Sequence, residues 1–460
     1  MRRAATGILA FIALSLAGSA LAAKGDTLLV SRQSASAGGD GANSRSFTAS
    51  ISRNGRFVAF TSEGNNLGGP TQTPGLEANV YVYDTVKERV KLVSRRSQSA
   101  DGLGANEDSR SNAISGNGRF VAFRTEATNL GGPINANAND NIYVYDRKEK
   151  RVQLVSRRSN NGKGANADAD NPSISHNGRF VCFNTFASNL GGPTAGNGEA
   201  NVYVHDRRRR LTTLASRRSA SQNGNGGNGN SFDCALAGKG PVVAFSSQAN
   251  NLGGPIHPGA SEQIYVHDWR AGRTELVSRR SQDKNGKGAN SPAGLAALSG
   301  SGRHVVFYTD ATNLGGPVQT PMGGANVYRY DRKSRKALLV TRRSASQGGA
   351  GGDASSDSPS ISSSGRHIAF HTQADNLGGP VEPGVGLNVY AYDVKLKKTR
   401  LVSRESGGGP GGDDISSEPE IAAGGRFVAF ATNADNLGGP VNTGGIPDPT
   451  SIYRFDLLGP

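Results

Sequence analysis

The sequence predicts an all-β protein, a seven-bladed β-propeller built from four-stranded antiparallel blades. Three observations lead to this prediction. The pentapeptide Asn-Leu-Gly-Gly-Pro occurs seven times in the 460-residue chain, at intervals of 60 to 63 residues. Such a period indicates one supersecondary unit that is repeated and packed against its neighbours. Each unit contains four short apolar runs, and the two ends of the chain hold complementary parts of one unit.

The second unit shows the four predicted strands in order, at residues 113–115, 120–125, 141–146 and 152–156. The turns between them are rich in glycine and polar residues, and no helical periodicity is present. Strands that are apolar on both faces are buried on both faces. Blades stacked around an axis provide that environment. The competing repeat fold, a parallel β-helix, has shorter coils and no meandering four-stranded units.

The ends of the chain predict how the ring closes. Residues 451–456 correspond to the third strand of a unit, and residues 27–32 correspond to the fourth strand. An N-terminal strand that completes the last blade would pair an edge that is otherwise bare. The ring is therefore predicted to be closed by this strand.

The first 23 residues are predicted to be a secretory signal peptide, followed by a single propeller domain over residues 24–460. Arg2 and Arg3 precede an apolar run at 8–16, and the small-residue motif at 20–22 predicts cleavage near Ala22 and Ala23. The apolar run is too short for a stable membrane span. The expected location is periplasmic or secreted.

The net charge predicts an anionic partner. The chain has 52 Lys and Arg against 37 Asp and Glu, a formal charge of +15, and an exported basic protein meets anionic polymers. An envelope protein or an anionic cell-surface polymer is the expected partner, and the protein is expected to be a monomer. Only Trp269 stands among the cations as an aromatic that could stack on bases, which argues against nucleic acid.

The candidate polyanion-binding residues lie in the turns between third and fourth strands. The alternative interpretation of these turns is a solvated rim with no ligand. The candidates are Arg147, Lys148, Lys150, Arg151, Arg207, Arg208, Arg209, Arg210, Arg332, Lys333, Arg335, Lys336, Lys395, Lys397 and Lys398.

The Asn-Leu-Gly-Gly-Pro motif is predicted to be structural, with Leu between blades, Gly-Gly in left-handed backbone and Pro fixing the exit of the turn. A ring of asparagine amides that binds glycans is the alternative. The Asp that ends each third strand, such as Asp146, is predicted to cap backbone amides of the following turn. Antiparallel alternation predicts that the motif loops and the Gly-x-Gly-Ala-Asn linkers share one face, opposite the basic turns.

No catalytic set, metal site or cofactor motif is recognised. The seven histidines occupy unrelated positions without ligand spacing, and the main break in the repeat, at 232–241, is less polar than its counterparts. A non-enzymatic binding scaffold is predicted. The alternative is a polysaccharide lyase or hydrolase with its site at the mouth of the central channel. Cys182 and Cys234 either form a disulfide between the third and fourth blades or remain two buried thiols.

These residues resemble a known family. Gly-Arg-Phe-Val-Ala-Phe at 55–60, the following Asn-Leu, Asn-Val-Tyr-Val-Tyr-Asp at 79–84 and the linker at 162–166 are similar to repeats of bacterial TolB-like, WD-like propellers. The resemblance covers the mature chain and implies the fold without implying one activity. TolB carries a further α/β domain before its propeller, and many relatives have Asp where Asn79 stands. The resemblance therefore implies neither TolB's lipoprotein partner nor a Ca²⁺ site.

Overall fold

The computed structural model describes residues 27–71, 77–135, 140–160, 162–194, 198–258, 261–319, 324–441 and 450–458. The predicted signal peptide and its cleavage site at Ala22 and Ala23 lie outside these residues. The described chain forms seven separate four-stranded antiparallel sheets, which are the seven blades. The predicted seven-bladed propeller is confirmed.

In six blades the strands follow the chain from an inner strand at the axis to an outer strand at the rim, and in the seventh the outer strand is the first strand of the chain. The strands are β1 (Thr27–Leu29), β2 (Ser46–Ile51), β3 (Phe57–Ser62), β4 (Asn79–Asp84), β5 (Arg89–Leu92), β6 (Ser109–Ile114), β7 (Phe120–Thr125), β8 (Asn141–Asp146), β9 (Arg151–Leu154), β10 (Ala169–Ile174), β11 (Phe180–Thr185), β12 (Asn201–Asp206), β13 (Leu211–Leu214), β14 (Ser231–Leu236), β15 (Val242–Ser247), β16 (Gln263–Asp268), β17 (Arg273–Leu276), β18 (Ala293–Leu298), β19 (His304–Thr309), β20 (Asn326–Asp331), β21 (Lys336–Leu339), β22 (Ser356–Ile361), β23 (His367–Thr372), β24 (Asn388–Asp393), β25 (Lys398–Leu401), β26 (Ser416–Ile421), β27 (Phe427–Thr432) and β28 (Ser451–Asp456).

Blades one to six are β2–β5, β6–β9, β10–β13, β14–β17, β18–β21 and β22–β25, and the seventh contains β26, β27, β28 and β1. Short 3-10 helices lie in six of the linkers between blades, at Ala35–Ala37, Gln98–Ala100, Ala220–Gln222, Gln282–Lys284, Ala345–Gln347 and Ser406–Gly408.

The ring is closed by β1, as predicted. This strand pairs antiparallel with β28, with Thr27 opposite Phe455 and Leu29 opposite Tyr453. A second contact supports the closure, because the Thr27 amide donates to the Ser406 hydroxyl at 2.8 Å. The same hydrogen bond, from an amide of the outer strand to a serine hydroxyl of the preceding linker, recurs at the other six junctions between blades, at 2.9 to 3.1 Å.

The core lies in apolar layers between neighbouring blades. In every blade a phenylalanine of the second strand is opposite a tyrosine of the third, as Phe60 is opposite Tyr81. The two rings stack with centroids 5.9 to 6.4 Å apart across the seven blades. These side chains are almost completely buried, and such pairs stabilise a core beyond the area they bury.

The Asn-Leu-Gly-Gly-Pro loops are tied to the linkers at the start of their own blades. In all seven repeats the motif asparagine donates its side-chain amide to a linker glycine carbonyl, at 2.8 to 3.1 Å. The motif leucines are 1 to 6% exposed. A Cβ on the second glycine, Gly69, would lie 2.8 Å from the Leu92 Cβ, and its φ is +113°. The motif therefore has the structural role predicted for it.

We expect Asn66→Ala to lower the free energy of unfolding by about 1–3 kcal/mol, because a donor and an acceptor of the linker lose their partner. Asn66 donates to the Gly41 carbonyl at 2.8 Å and accepts from the Asn43 amide at 3.0 Å. Urea unfolding measures the change. The neighbouring Asn65→Ala, at an exposed position, should cost less. Equal costs would show that the motif asparagine has no special role.

Candidate functional site

The molecule presents two different faces. We call the face with the turns from first to second and from third to fourth strands the turn face. The opposite face, with the Asn-Leu-Gly-Gly-Pro loops and the linker residues beside them, such as Gly104, is the loop face. The linkers share this face only in part, because their tips reach the turns of the next blade, as the Gln98 amide donates to the Lys150 carbonyl at 2.8 Å. Strand register fixes this division, because the start of each second strand is opposite the end of each third strand, as Phe57 is opposite Asp84.

The Asp that ends each third strand caps its turn, as predicted. Asp146, for example, accepts from the amides of Lys148 and Glu149 at 3.0 and 3.2 Å. Its second partner was not predicted: Arg119 of the preceding Gly-Arg turn binds both carboxylate oxygens. Equivalent pairs occur in six blades, with closest N–O distances of 2.6 to 2.8 Å, and they are Arg56–Asp84, Arg119–Asp146, Arg179–Asp206, Arg303–Asp331, Arg366–Asp393 and Arg426–Asp456.

These ion pairs use up the charge of the aspartates on the turn face, because each aspartate is neutralised by its own arginine. The hydrogen bonds from Arg303 hold the pKa of Asp331 well below its ordinary range. Each pair is neutral as a whole and bidentate, which fixes its geometry. The remaining lysines and arginines of the turns are therefore not compensated by these aspartates.

Three of the candidate polyanion-binding residues are contacts between blades rather than free cations. The guanidinium groups of Arg147 and Arg207 lie 4.2 and 4.4 Å from the ring centroids of phenylalanines in the preceding blades. Burial lowers the pKa of Arg207 to about 10. Arg332 donates to the Gly302 carbonyl at 2.8 Å and contacts Glu275 at 3.3 Å.

The other twelve candidates are exposed on the turn face. They occupy the turns and following strand starts of the second, third, fifth and sixth blades, and they are Lys148, Lys150, Arg151, Arg208, Arg209, Arg210, Lys333, Arg335, Lys336, Lys395, Lys397 and Lys398. Glu149 is the one carboxylate in these four segments, and it contacts Arg119 at 3.3 Å.

Hollows between neighbouring blades open on this cationic surface. Three of them have volumes of about 480, 440 and 510 Å³. Their lining carboxylates are Asp146, Asp206 and Glu275, and each of these is paired with an arginine. The cations that line the first hollow are Arg119, Arg179, Arg207 and Arg208. Those of the second are Arg179, Arg209, Lys239 and Arg270. Those of the third are Arg273, Arg303, Arg332, Lys333 and Arg335.

The fourth blade departs from the pattern at the break found in the sequence. Lys239-Gly240-Pro241 replaces the usual turn, and Asp268 caps two amides at 3.0 Å without an arginine partner among the described residues. Trp269 packs edge-on against Phe180, with centroids 5.3 Å apart. It lines the second hollow beside Lys239. This hollow therefore has an aromatic wall next to its cations.

The first strands of all seven blades line an axial channel with a volume of about 560 Å³. Each of these strands has a β-bulge, and its third residue has a positive φ of 44 to 51° without being glycine. These residues are Thr48, Ser111, Asn171, Asp233, Leu295, Ser358 and Glu418. A backbone strained in this way is common beside functional sites, and the bulges bend the strands at the axis.

Backbone hydrogen bonds connect the seven blades around the turn-face end of this channel. They run in order from the Arg53 amide to Gly116, Asn117 to His176, His176 to Gly238, Lys239 to Gly300, Gly300 to Ser363, Ser363 to Ala423, and Gly424 to Arg53, at 2.9 to 3.3 Å. A Cβ on Gly238 would lie 2.2 Å from the His176 ring. This circle of hydrogen bonds and the His176 imidazole therefore lie at the turn-face end of the channel.

The disulfide alternative is the one that the structure contains. Cys182 of β11 and Cys234 of β14 are bonded, with their Cα atoms 6.2 Å apart. The bond joins the third and fourth blades beside the channel, where Cys234 is part of the wall.

In the part of the chain that the structure describes, no group of three or more His, Cys, Asp or Glu is arranged to hold a metal ion. No helix there is long and apolar enough to cross a membrane.

Comparisons with known proteins relate the chain to propellers by fold alone. No family model matches the sequence, and no curated protein does. The β-propeller domain of the Trilobed protease from Pyrococcus furiosus has a TM-score of 0.50 at 11% identity, over 90% of this chain and 93% of that chain. That domain has an open velcro topology, whereas β1 closes the ring here.

Two further structures are similar at lower scores. An oligogalacturonate lyase from Vibrio parahaemolyticus has a TM-score of 0.48 at 9% identity, over 95% of this chain and 91% of that chain. TolB from Acinetobacter baumannii has a TM-score of 0.38 at 11% identity, over 83% and 77%. TolB proteins are thus among the structural neighbours of this chain. At these identities no activity follows.

Proposed function

We propose that the protein is a non-catalytic, extracytoplasmic scaffold that binds an anionic polymer of the cell envelope through the exposed cations of its turn face. The observation that carries the proposal is the excess of cations there. Twelve exposed lysines and arginines share four segments with a single carboxylate, Glu149. Export, on which the choice of an envelope polymer rests, is inferred from the predicted signal at 1–23.

The repeat favours a polymeric ligand over a small anion. Equivalent cations recur from blade to blade, on turns that are held rigidly by their aspartate caps. A polymer with regularly spaced charges meets such a surface at many points, and the total attraction grows with each contact. The cation-lined hollows offer places for individual phosphate or carboxylate groups.

An envelope protein is the other partner predicted from the sequence. It too would contact the turn face, but as one defined surface rather than a repeating charge. Binding to a purified polymer, in the absence of any protein, supports the proposal over this alternative.

The enzymatic alternative has its natural place in the axial channel. The described residues of the channel wall carry carboxylates and no lysine or arginine, so an acidic glycan would be repelled there. Turnover on acidic glycans, measured with and without divalent metal, would replace the proposal with the polysaccharide-active enzyme.

A salt titration tests the proposal. The full chain should bind purified lipopolysaccharide at 50 mM salt and lose at least about tenfold in affinity by 200 mM, because each phosphate contact releases counterions. Uncharged dextran of similar length is the control polymer and should not bind. An affinity for lipopolysaccharide that does not change with ionic strength would contradict the electrostatic mechanism.

A further inference from the structure

One residue breaks the repeat at the axis. The fifth residue of each first strand is small in six blades, where it is Ser50, Ala113, Ser173, Ala235, Ala297 or Ser360. In the seventh blade it is Glu420. All these positions except Ser360 line the axial channel. Packing around the axis is therefore satisfied by a small residue, and it does not explain the Glu420 carboxylate.

The Glu420 side chain has no partner among the residues that the structure describes. It has no hydrogen bond or ion pair with the other described residues. It is half-buried in the wall of the channel, where it keeps some contact with solvent. Burying a carboxylate without a partner is costly, and a ligand that pairs with it would remove that cost.

The other charges of the channel have the same sign. Asp233 and Glu418 also line it, the described wall has no lysine or arginine, and its one histidine is His176. Burial, together with Arg53 and Lys239, lowers the pKa of His176, so this imidazole is neutral at pH 7. The channel is therefore negative inside a protein whose overall charge is +15.

The groups near Glu420 do not neutralise it. Glu418 on the same strand accepts from the Thr48 amide at 3.2 Å. Asp357 on the neighbouring β22 is paired with His371. Asp233 and His176 come from blades across the channel.

We propose that the axial channel binds a small organic cation, a primary ammonium or a guanidinium, with the Glu420 carboxylate as its ion-pair partner. A volume of about 560 Å³ is within the range of small-molecule sites. Ala113, Ala235 and Pro359 give apolar wall for an alkyl chain. A metal ion is less suited, because hard cations need six or more oxygen ligands that converge, and the described residues hold no such group.

The affinity should depend on pH. Burial raises the pKa of Glu420 to about 7. The carboxyl group is mostly protonated at pH 6 and mostly ionised at pH 8, while an alkylamine remains charged throughout. Amine affinity should therefore rise about tenfold between pH 6 and pH 8, as the ionised fraction of Glu420 rises.

Titration calorimetry on the full chain tests the proposal, with butylamine, agmatine, neutral butanol and calcium chloride as probes. The two cations should bind and butanol should not. Glu420→Gln should weaken cation binding at least tenfold at pH 8 and remove the rise with pH. Glu126→Gln, which removes one exposed carboxylate of the loop face, is the matched control and should leave both unchanged.

Three results would overturn the proposal: no amine binding by the wild-type chain, equal affinity in Glu420→Gln, or binding of calcium without amines. None of them bears on the turn face, where lipopolysaccharide is the probe. The two proposals can therefore fail separately.

Discussion

Leu29→Asp is expected to destabilise the protein by more than about 4 kcal/mol, enough to open the ring or unfold the chain. Leu29 is 2% exposed and packs in the apolar layer between the sixth and seventh blades. Truncating a buried leucine costs about 2–5 kcal/mol, and an unpaired buried charge adds to that cost. The strand that carries it is also the one that closes the ring.

Two measurements follow this effect. Urea unfolding gives the loss of stability, and size-exclusion chromatography reports self-association through the bare edge of β28. Leu458→Asp is the control, because Leu458 is 63% exposed near the same blade, and it should change neither. A Leu29→Asp protein that is stable and monomeric would show that β1 is not needed to close the ring.

Much of this architecture could be predicted from the sequence, since repeats determine it. The period sets the number of blades, and the split unit at the chain ends predicts the pairing of β1 with β28. The cap by Asp146 could also be predicted, because Asp before a turn has few other uses. The pairing of Arg119 with Asp146 follows from the same register, although the two are far apart in sequence.

Other features of the site had no signal in the sequence. The bulged residues at the axis, among them Thr48 and Leu295, have positive φ although they are not glycine. Sequence rules for turns expect glycine at such positions, so they do not predict this backbone conformation. Arg147 looks like any cation of its turn, yet it stacks on Phe57 of the preceding blade. Glu420 becomes distinctive only once the first strands are known to line the channel.

Neutralising four cations of the turn face should weaken polymer binding by about 100- to 1,000-fold at 50 mM salt. The variant combines Arg208→Gln, Arg209→Gln, Lys333→Gln and Lys336→Gln, all at exposed positions. A lysine or arginine near an anionic surface contributes about 1 kcal/mol, and about 1.4 kcal/mol is a tenfold change in affinity. The backbone caps of these turns do not involve the altered side chains.

The most direct test of the account compares this variant with one of equal net charge. The matched variant combines Arg45→Gln, Arg158→Gln, Lys163→Gln and Lys287→Gln, four exposed cations of the linkers that do not belong to the turns from third to fourth strands. Lipopolysaccharide affinity, measured for both by surface plasmon resonance at 50 mM salt, should fall about 100-fold or more for the turn-face variant and less than about threefold for the other. Equal losses would mean that overall charge, and not the turn face, holds the polymer.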